Sequence, residues 1–141
     1  MVHYESDGVF DAPLEKVWKY LSGTEHTHSG FKSYKVASQS GNEVTIDAEV
    51  FNPDGKTTSK AIFKHIMNPP IGWQTTVKGS AMDGAVFNHT YTPMGNNKTK
   101  VELKGDYKAI PGMSESAQIK MLDDFYTTGF NEDNANLQKM R

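Results

Sequence analysis

There is no cysteine anywhere in this chain, which removes disulfides, thiolate metal sites and cysteine nucleophiles together. That composition fits an intracellular protein, and the expected compartment is the cytoplasm. No run approaches the roughly eighteen apolar residues that a membrane span requires. The opening "MVHYESDG" lacks a basic patch followed by an apolar stretch, so no secretory signal is expected. Basic charge is not in excess either: 15 Lys and Arg against 17 Asp and Glu leave a net −2. With that balance, electrostatics offers no reason to bind nucleic acid. The phosphate loop G-x-x-x-x-G-K-[ST], the dinucleotide motif G-x-G-x-x-G and the serine elbow G-x-S-x-G are also missing.

What is there fits one domain, residues 1–141, with one core. "HYESDGVF" alternates loosely and reads as a first strand. "FDAPLEKVWKYLSG" follows as a short amphipathic helix. Pro13 suits the first helical position, Glu15 places negative charge at the positive end of the dipole, and Gly23 supplies a terminator. Leu14, Val17, Trp18 and Leu21 recur at helical spacing and form one apolar face, with Lys16 and Lys19 pointing away.

After "TEHTHSG" the period changes to two. "FKSYKVAS", "EVTIDAEVF", "TTSKAIFKHIM", "GWQTTVKGS", "AVFNHTYT" and "KTKVELKGDYKA" are six strand candidates. Each closes on turn residues: Ser40-Gly41-Asn42, Asn52 to Gly55, Asn68-Pro69-Pro70, Met82-Asp83-Gly84, Pro93 to Asn97, and Pro111-Gly112. Connections that short make hairpins, hence an antiparallel meander. From Ser114 the pattern is helical again to the end, with Ser114 as N-cap and Glu115 in the first turn. Leu122, Phe125, Tyr126 and Gly129 form a stripe that Phe130, Leu137 and Met140 extend, interrupted by the polar "NEDNAN". One long helix is predicted, with a bend near Gly129. The expected fold is α+β: a seven-stranded curved antiparallel sheet wrapped around a long C-terminal helix, with a short helix between strands 1 and 2. A strongly curved sheet would leave a cavity under that helix.

Ala12, Pro13, Val17, Trp18 and Leu21 resemble the "A-P-x-x-x-V-W-x-x-L" opening of the START-like superfamily (SRPBCC), which includes Bet v 1-like and polyketide cyclase/dehydratase-like proteins. The terminal "FNEDNANLQKM" is similar to the late-helix pattern of that superfamily. The resemblance implies a helix-grip fold enclosing a pocket for an apolar or amphipathic small molecule. It also implies a second short helix, for which "SGTEHTHSG" leaves room for one turn or none.

Alternation assigns the inward faces. Phe63, His65 and Met67 share one, as do Phe87, His89 and Tyr91. Trp73, Thr75 and Val77 share another, and so do Val101, Leu103 and Tyr107. The candidate ligand contacts are Phe63, His65, Trp73, Phe87, His89, Tyr91 and Tyr107 from the sheet, with Met121 and Phe125 from the helix. His65 and His89 are the candidate catalytic pair. Buried neutral imidazoles among aromatics can polarise a carbonyl or move a proton. His26 and His28 form an H-x-H next to Glu25. Two ligands fall short of the three or four that zinc uses, so no metal is assigned and the loop is read as solvated, at the pocket mouth. Asp47 and Glu49 share a strand face opposite Val44, Ile46, Ala48 and Val50, which makes them a solvent-facing pair. No cofactor is expected.

Three functions remain open at this point. The first is binding of a small hydrophobic or amphipathic ligand. The second is a cyclase or dehydratase using His65 and His89, with Tyr91 or Tyr107 as donors. The third is a co-chaperone-like interaction domain with a filled interior. Edge strands leave pairing across a two-fold axis, and so a homodimer, open to such a sheet.

Overall fold

The computed structural model describes residues 1–21, 28–52, 54–95 and 97–140. The elements run β1 (Val2–Phe10), α1 (Leu14–Leu21), β2 (Phe31–Ser40), β3 (Glu43–Phe51), β4 (Thr58–Asn68), β5 (Gly72–Gly79), β6 (Val86–Met94), β7 (Lys98–Tyr107) and α2 (Glu115–Lys139). The seven strands form one antiparallel sheet in the order β1-β7-β6-β5-β4-β3-β2. The meander from β2 to β7 is therefore closed on its far side by β1, which returns beside β7. Turn residues end the strands within two residues of where the sequence places them, β6 running on through Pro93 and Met94, and the hairpins follow. The expected terminator Gly23, and the place for a second short helix, lie outside the described residues.

Side chains alternate across the sheet as a half-buried pleat requires. On β7, Val101, Leu103 and Tyr107 are buried while Lys104 and Asp106 are exposed. On β3, Ile46, Ala48 and Val50 are buried and Asp47 is exposed. Glu49 also faces outward; it accepts from Thr58 Oγ1 at 2.6 Å, and this bond, with Lys32 nearby, holds its carboxyl below the usual range. β2 is different. Apart from Phe31, every residue on it is exposed, Val36 included at 54 %. It is an edge strand, paired only with β3.

α2 is unbroken through Gly129. Ser114 caps it, its hydroxyl accepting from the Ala117 N–H at 3.2 Å. The helix is anchored at two places. Near its start the buried Gln118 accepts from the Ile110 N–H at 3.0 Å and donates to the Lys108 carbonyl at 2.8 Å. Near its end Asp133 and Leu137 are buried, and Asp133 accepts from the Tyr20 hydroxyl at 2.8 Å. Tyr20 corrects the helical face expected for α1. It is 1 % exposed and Val17 is fully buried, whereas Trp18 and Leu21 are only half-buried. A tyrosine on that face has a polar tip to satisfy, and a carboxylate of α2 satisfies it.

Two apolar clusters form at these anchors. One gathers Tyr4, Ile46, Phe63, Phe87, Leu103 and Tyr107 under Leu122. The other joins Phe10, Val17, Tyr20, Tyr91 and Val101 to Leu137.

Candidate functional site

Between the two clusters, sheet and helix part. The space left is a cavity of about 660 Å³. Its floor is the inner face of the sheet, with Phe63, His65, Trp73, Phe87, His89 and Tyr91 on the wall. Its roof is the stretch of α2 from Asp124 to Asp133. Leu21 at the end of α1 and the segment His28–Phe31 complete it. The stretch of α2 before the roof, Glu115 to Asp123, contributes nothing to the wall.

Of the nine residues expected to contact a ligand, seven are therefore on the wall: the six from the sheet just named, and Phe125 from α2. Two are not. Tyr107 is 1 % exposed, stacked on Phe87, and its hydroxyl meets that of Tyr126 at 2.8 Å. Parity put Tyr107 on the inner face correctly, but Phe87 and Tyr126 fill the space over it. Met121 packs against the first cluster, one turn before the cavity begins. Both belong to the solid end of the grip.

The aromatic wall is continuous. Trp73 lies at the centre, with ring centroids 5.0 Å from His89, 5.3 Å from Tyr91 and 6.2 Å from His65. Trp18 of α1 meets its edge at 5.8 Å. The His65 Nδ1 is 2.7 Å from the hydroxyl of Thr75, which is fully buried, so the orientation of that ring is set from below. On the opposite side Phe130 stacks on Phe10 at 4.6 Å. Gly8 makes this stack fit: a Cβ there would lie 2.8 Å from the Phe130 ring.

Sequence reasoning missed the contributions of β1 and of the start of β2. Ser6, Gly8 and Phe10 line the cavity from β1, and Phe31 and Tyr34 from β2. The alternation Val2-Tyr4-Ser6-Gly8-Phe10 carries the signal for β1, blunted by a serine and a glycine at inward positions. β2 carried no such signal, since nearly all of it is exposed.

The polar end of the cavity is built by α2 and the turn before β2. The Ser29 N–H donates to Glu132 Oε1 at 3.2 Å. The ring of His28 lies between two carboxylates, with Nδ1 3.7 Å from Glu132 Oε1 and Nε2 3.8 Å from Asp133 Oδ2. Gly129 leaves room for that ring, which would stand 3.3 Å from a Cβ at this position. His26 and Glu25, the other members of the H-x-H group, lie outside the described residues. Among the described residues no group of three or more His, Asp or Glu is arranged to hold a metal ion, and no helix is long and apolar enough to cross a membrane.

Burial holds the phenols around this space in their neutral form. Tyr4 is pushed up to about 12 by burial, with Asp123, which accepts its hydrogen bond at 2.8 Å, adding to the effect. Tyr91 and Tyr126 are raised well above the ordinary tyrosine value by burial. At neutral pH all three are hydrogen-bond donors and not charges.

No family model matches the sequence, and no curated protein does. Solved structures do match. A conserved protein from Geobacillus kaustophilus superposes with a TM-score of 0.82 at 14 % identity, covering 97 % of this chain and 95 % of its own. The Zhui aromatase/cyclase from Streptomyces sp. R1128 gives 0.74 at 11 %, covering 97 % and 93 %. Ara h 8.0201 gives 0.72 at 13 %, covering 98 % of both chains. Identities this low speak for the fold alone. The chain has a Bet v 1-like, polyketide cyclase-like helix-grip fold.

Proposed function

We propose that the protein binds a hydrophobic or amphipathic small molecule between sheet and helix. The observation that carries this reading is the cavity: about 660 Å³, walled largely by aromatic rings with a few polar groups at one end. Ligand sites generally occupy a few hundred to about a thousand cubic ångströms and have this mixed lining. Native mass spectrometry of gently purified protein should show an adduct that organic extraction removes. The double variant His65→Ala, His89→Ala should retain it, since aromatic area supplies most of the contact. A protein that carries no adduct and takes up no apolar probe would refute the reading.

The second reading is a cyclase or dehydratase, and one observation favours it. His65 and His89 flank Trp73 on the same wall, and the Nδ1 of His65 is engaged by Thr75. An imidazole fixed through one nitrogen presents the other for proton transfer. Catalysis would appear as turnover with a pH profile governed by a group titrating near neutrality, lost in the same double variant. The interaction-domain reading called for a filled interior, and a cavity of this size argues against it. A cytoplasmic location rests on the cysteine-free composition. A homodimer paired through the β1 or β2 edge is the assembly to look for by sedimentation.

A further inference from the structure

Tyr126 stands where the packed end of the grip meets the cavity. Its ring packs against the first cluster, stacked on Tyr4 at 5.8 Å and edge-on to Phe87 at 5.9 Å, and it also lines the cavity. Its hydroxyl meets that of Tyr107 at 2.8 Å. Two phenols bring two protons to that pair, and one proton makes the bond between them. The other is without an acceptor: among the described residues neither oxygen has a second hydrogen-bond partner. Tyr4, the third phenol of the group, donates elsewhere, to Asp123 at 2.8 Å. Tyr107 is buried and off the cavity wall, whereas Tyr126 is on it. Burial holds both phenols well above the ordinary tyrosine value, so at neutral pH each keeps its proton.

The two directions of that bond differ in where they leave the second proton. With Tyr126 as donor it is on Tyr107, behind the wall. With Tyr107 as donor it is on Tyr126, at the wall. Only the second direction lets a molecule in the cavity satisfy both phenols. We infer that Tyr126 donates a hydrogen bond to an acceptor oxygen of the ligand, with Tyr107 donating to Tyr126 from behind. The ligand class that fits is an apolar molecule with a ketone or ester carbonyl at the end that lies against α2 here. The inference rests on the binding reading and names the polar anchor of that site. Tyr126 touches the ligand; Tyr107 acts through it, as a positioning residue. The chain is cooperative, because a phenol that accepts a hydrogen bond is the stronger donor for it. It is also selective. A hydrocarbon of the same shape leaves a buried phenol proton unsatisfied, and sites built to hydrogen-bond a ligand group reject analogues that lack it.

Benzophenone and diphenylmethane test this, because they share two phenyl rings and differ in a carbonyl against a methylene. Each is titrated into the full chain against a bound fluorescent naphthylamine. The affinity of benzophenone relative to diphenylmethane should be about fivefold or more higher in the unaltered chain than in Tyr126→Phe. The infrared carbonyl stretch of bound benzophenone is a readout that a loss of packing does not imitate. In the unaltered chain it should lie below that of benzophenone in hexane, and Tyr126→Phe should abolish most of the shift. Tyr107→Phe should give an intermediate value, since the donor stays and its polarisation goes. A relative affinity and a stretch that Tyr126→Phe leaves unchanged overturn the inference and leave the binding reading standing. The same holds if they change instead in Tyr91→Phe, which alters the wall phenol of the second cluster. A hexane-like stretch in the unaltered chain overturns the inference without any variant, and a stretch indifferent to Tyr107→Phe overturns the part given to Tyr107. Uptake of neither probe fails the binding reading itself.

Discussion

Tyr20 and Tyr4 make the same kind of contact with α2, and replacing each with phenylalanine should have different consequences. Each hydroxyl donates to an aspartate at 2.8 Å, Tyr20 to Asp133 and Tyr4 to Asp123. Both rings are buried, so Tyr→Phe removes an oxygen and leaves the apolar packing in place. The acceptors differ. Asp123 is exposed, so when its donor goes water replaces it. Asp133 is 7 % exposed, and the Tyr20 oxygen also accepts from Asn136 Nδ2 at 3.1 Å. Removing it takes a charge-assisted bond from a buried carboxylate and orphans an amide as well. Bonds to charged groups are worth about 1.5–3 kcal/mol and neutral ones about 0.5–1.5. Tyr20→Phe should therefore cost about 2–4 kcal/mol and Tyr4→Phe about 0.5–1 kcal/mol. Urea titration with an unchanged m-value reads both directly. In thermal melts the Tyr20 variant should lose roughly 6–20 °C, at some 3–5 °C per kcal/mol for a chain of this size. Equal losses for the two variants, or a Tyr20 loss under about 1 kcal/mol, would refute the argument that burial of the acceptor decides the cost.

Alkaline titration offers a second test. The pKa of every one of the six tyrosines is raised, in each case chiefly by burial. The folded state thus favours the protonated phenol, a stabilisation fully present below about pH 10 and lost as pH rises beyond it. Tyrosinate absorbance near pH 10, where half of free phenols ionise, should be close to nil and then rise together with unfolding. Tyr34, 41 % exposed, is the first expected to ionise; a simple titration centred on 10 for most residues would contradict the packing described. Gln118→Leu should cost about 2–4 kcal/mol, because the Ile110 N–H and Lys108 carbonyl both lose their partner; a denaturant curve like that of the unaltered protein would show that the clamp is dispensable. Gly8→Ala should cost about 1–3 kcal/mol by forcing Phe130 off Phe10, and should weaken uptake of an apolar probe, whereas an unchanged melt and probe affinity would mean that Phe130 yields freely.

The order of elements and the sheet faces were legible because they depend on local signals. Turn residues end the strands, and period-two alternation sets the inward parity of Phe63, Phe87 and Val101 without reference to anything distant. The polar stretch of α2 was harder. "NEDNAN" reads as a gap in an apolar face, yet Asp133 within it is buried, because Tyr20 lies more than a hundred residues away in sequence and presents a hydroxyl there. The same remoteness hid Tyr20 itself, whose place on the buried face of α1 makes sense only beside a carboxylate on α2. Tyr107 and Met121 show the complementary error. Their parity and period were right, but whether an inward side chain meets a ligand or another side chain depends on where the helix lifts away, and no local pattern records that.

Where it lifts away follows from how α2 is held. A helix of 25 residues spans about 37 Å, long enough to be fixed at both ends and bridge the sheet between. Gln118 and Leu122 fix one end through two backbone bonds and the first cluster. Asp133 and Leu137 fix the other through Tyr20 and the second. Between them Phe125 and Phe130 face the sheet but do not fill the gap: Phe125 meets Phe31 edge-on at 6.3 Å and Phe130 is drawn aside onto Phe10. The hollow thus follows from two well-packed ends, which explains how a dense core and a cavity of ligand size coexist in one small domain. Under the proposed binding function, the part of α2 open to specialise is the span between these anchors, Asp124 to Glu132. Side chains there can vary in charge and shape while the grip at either end holds.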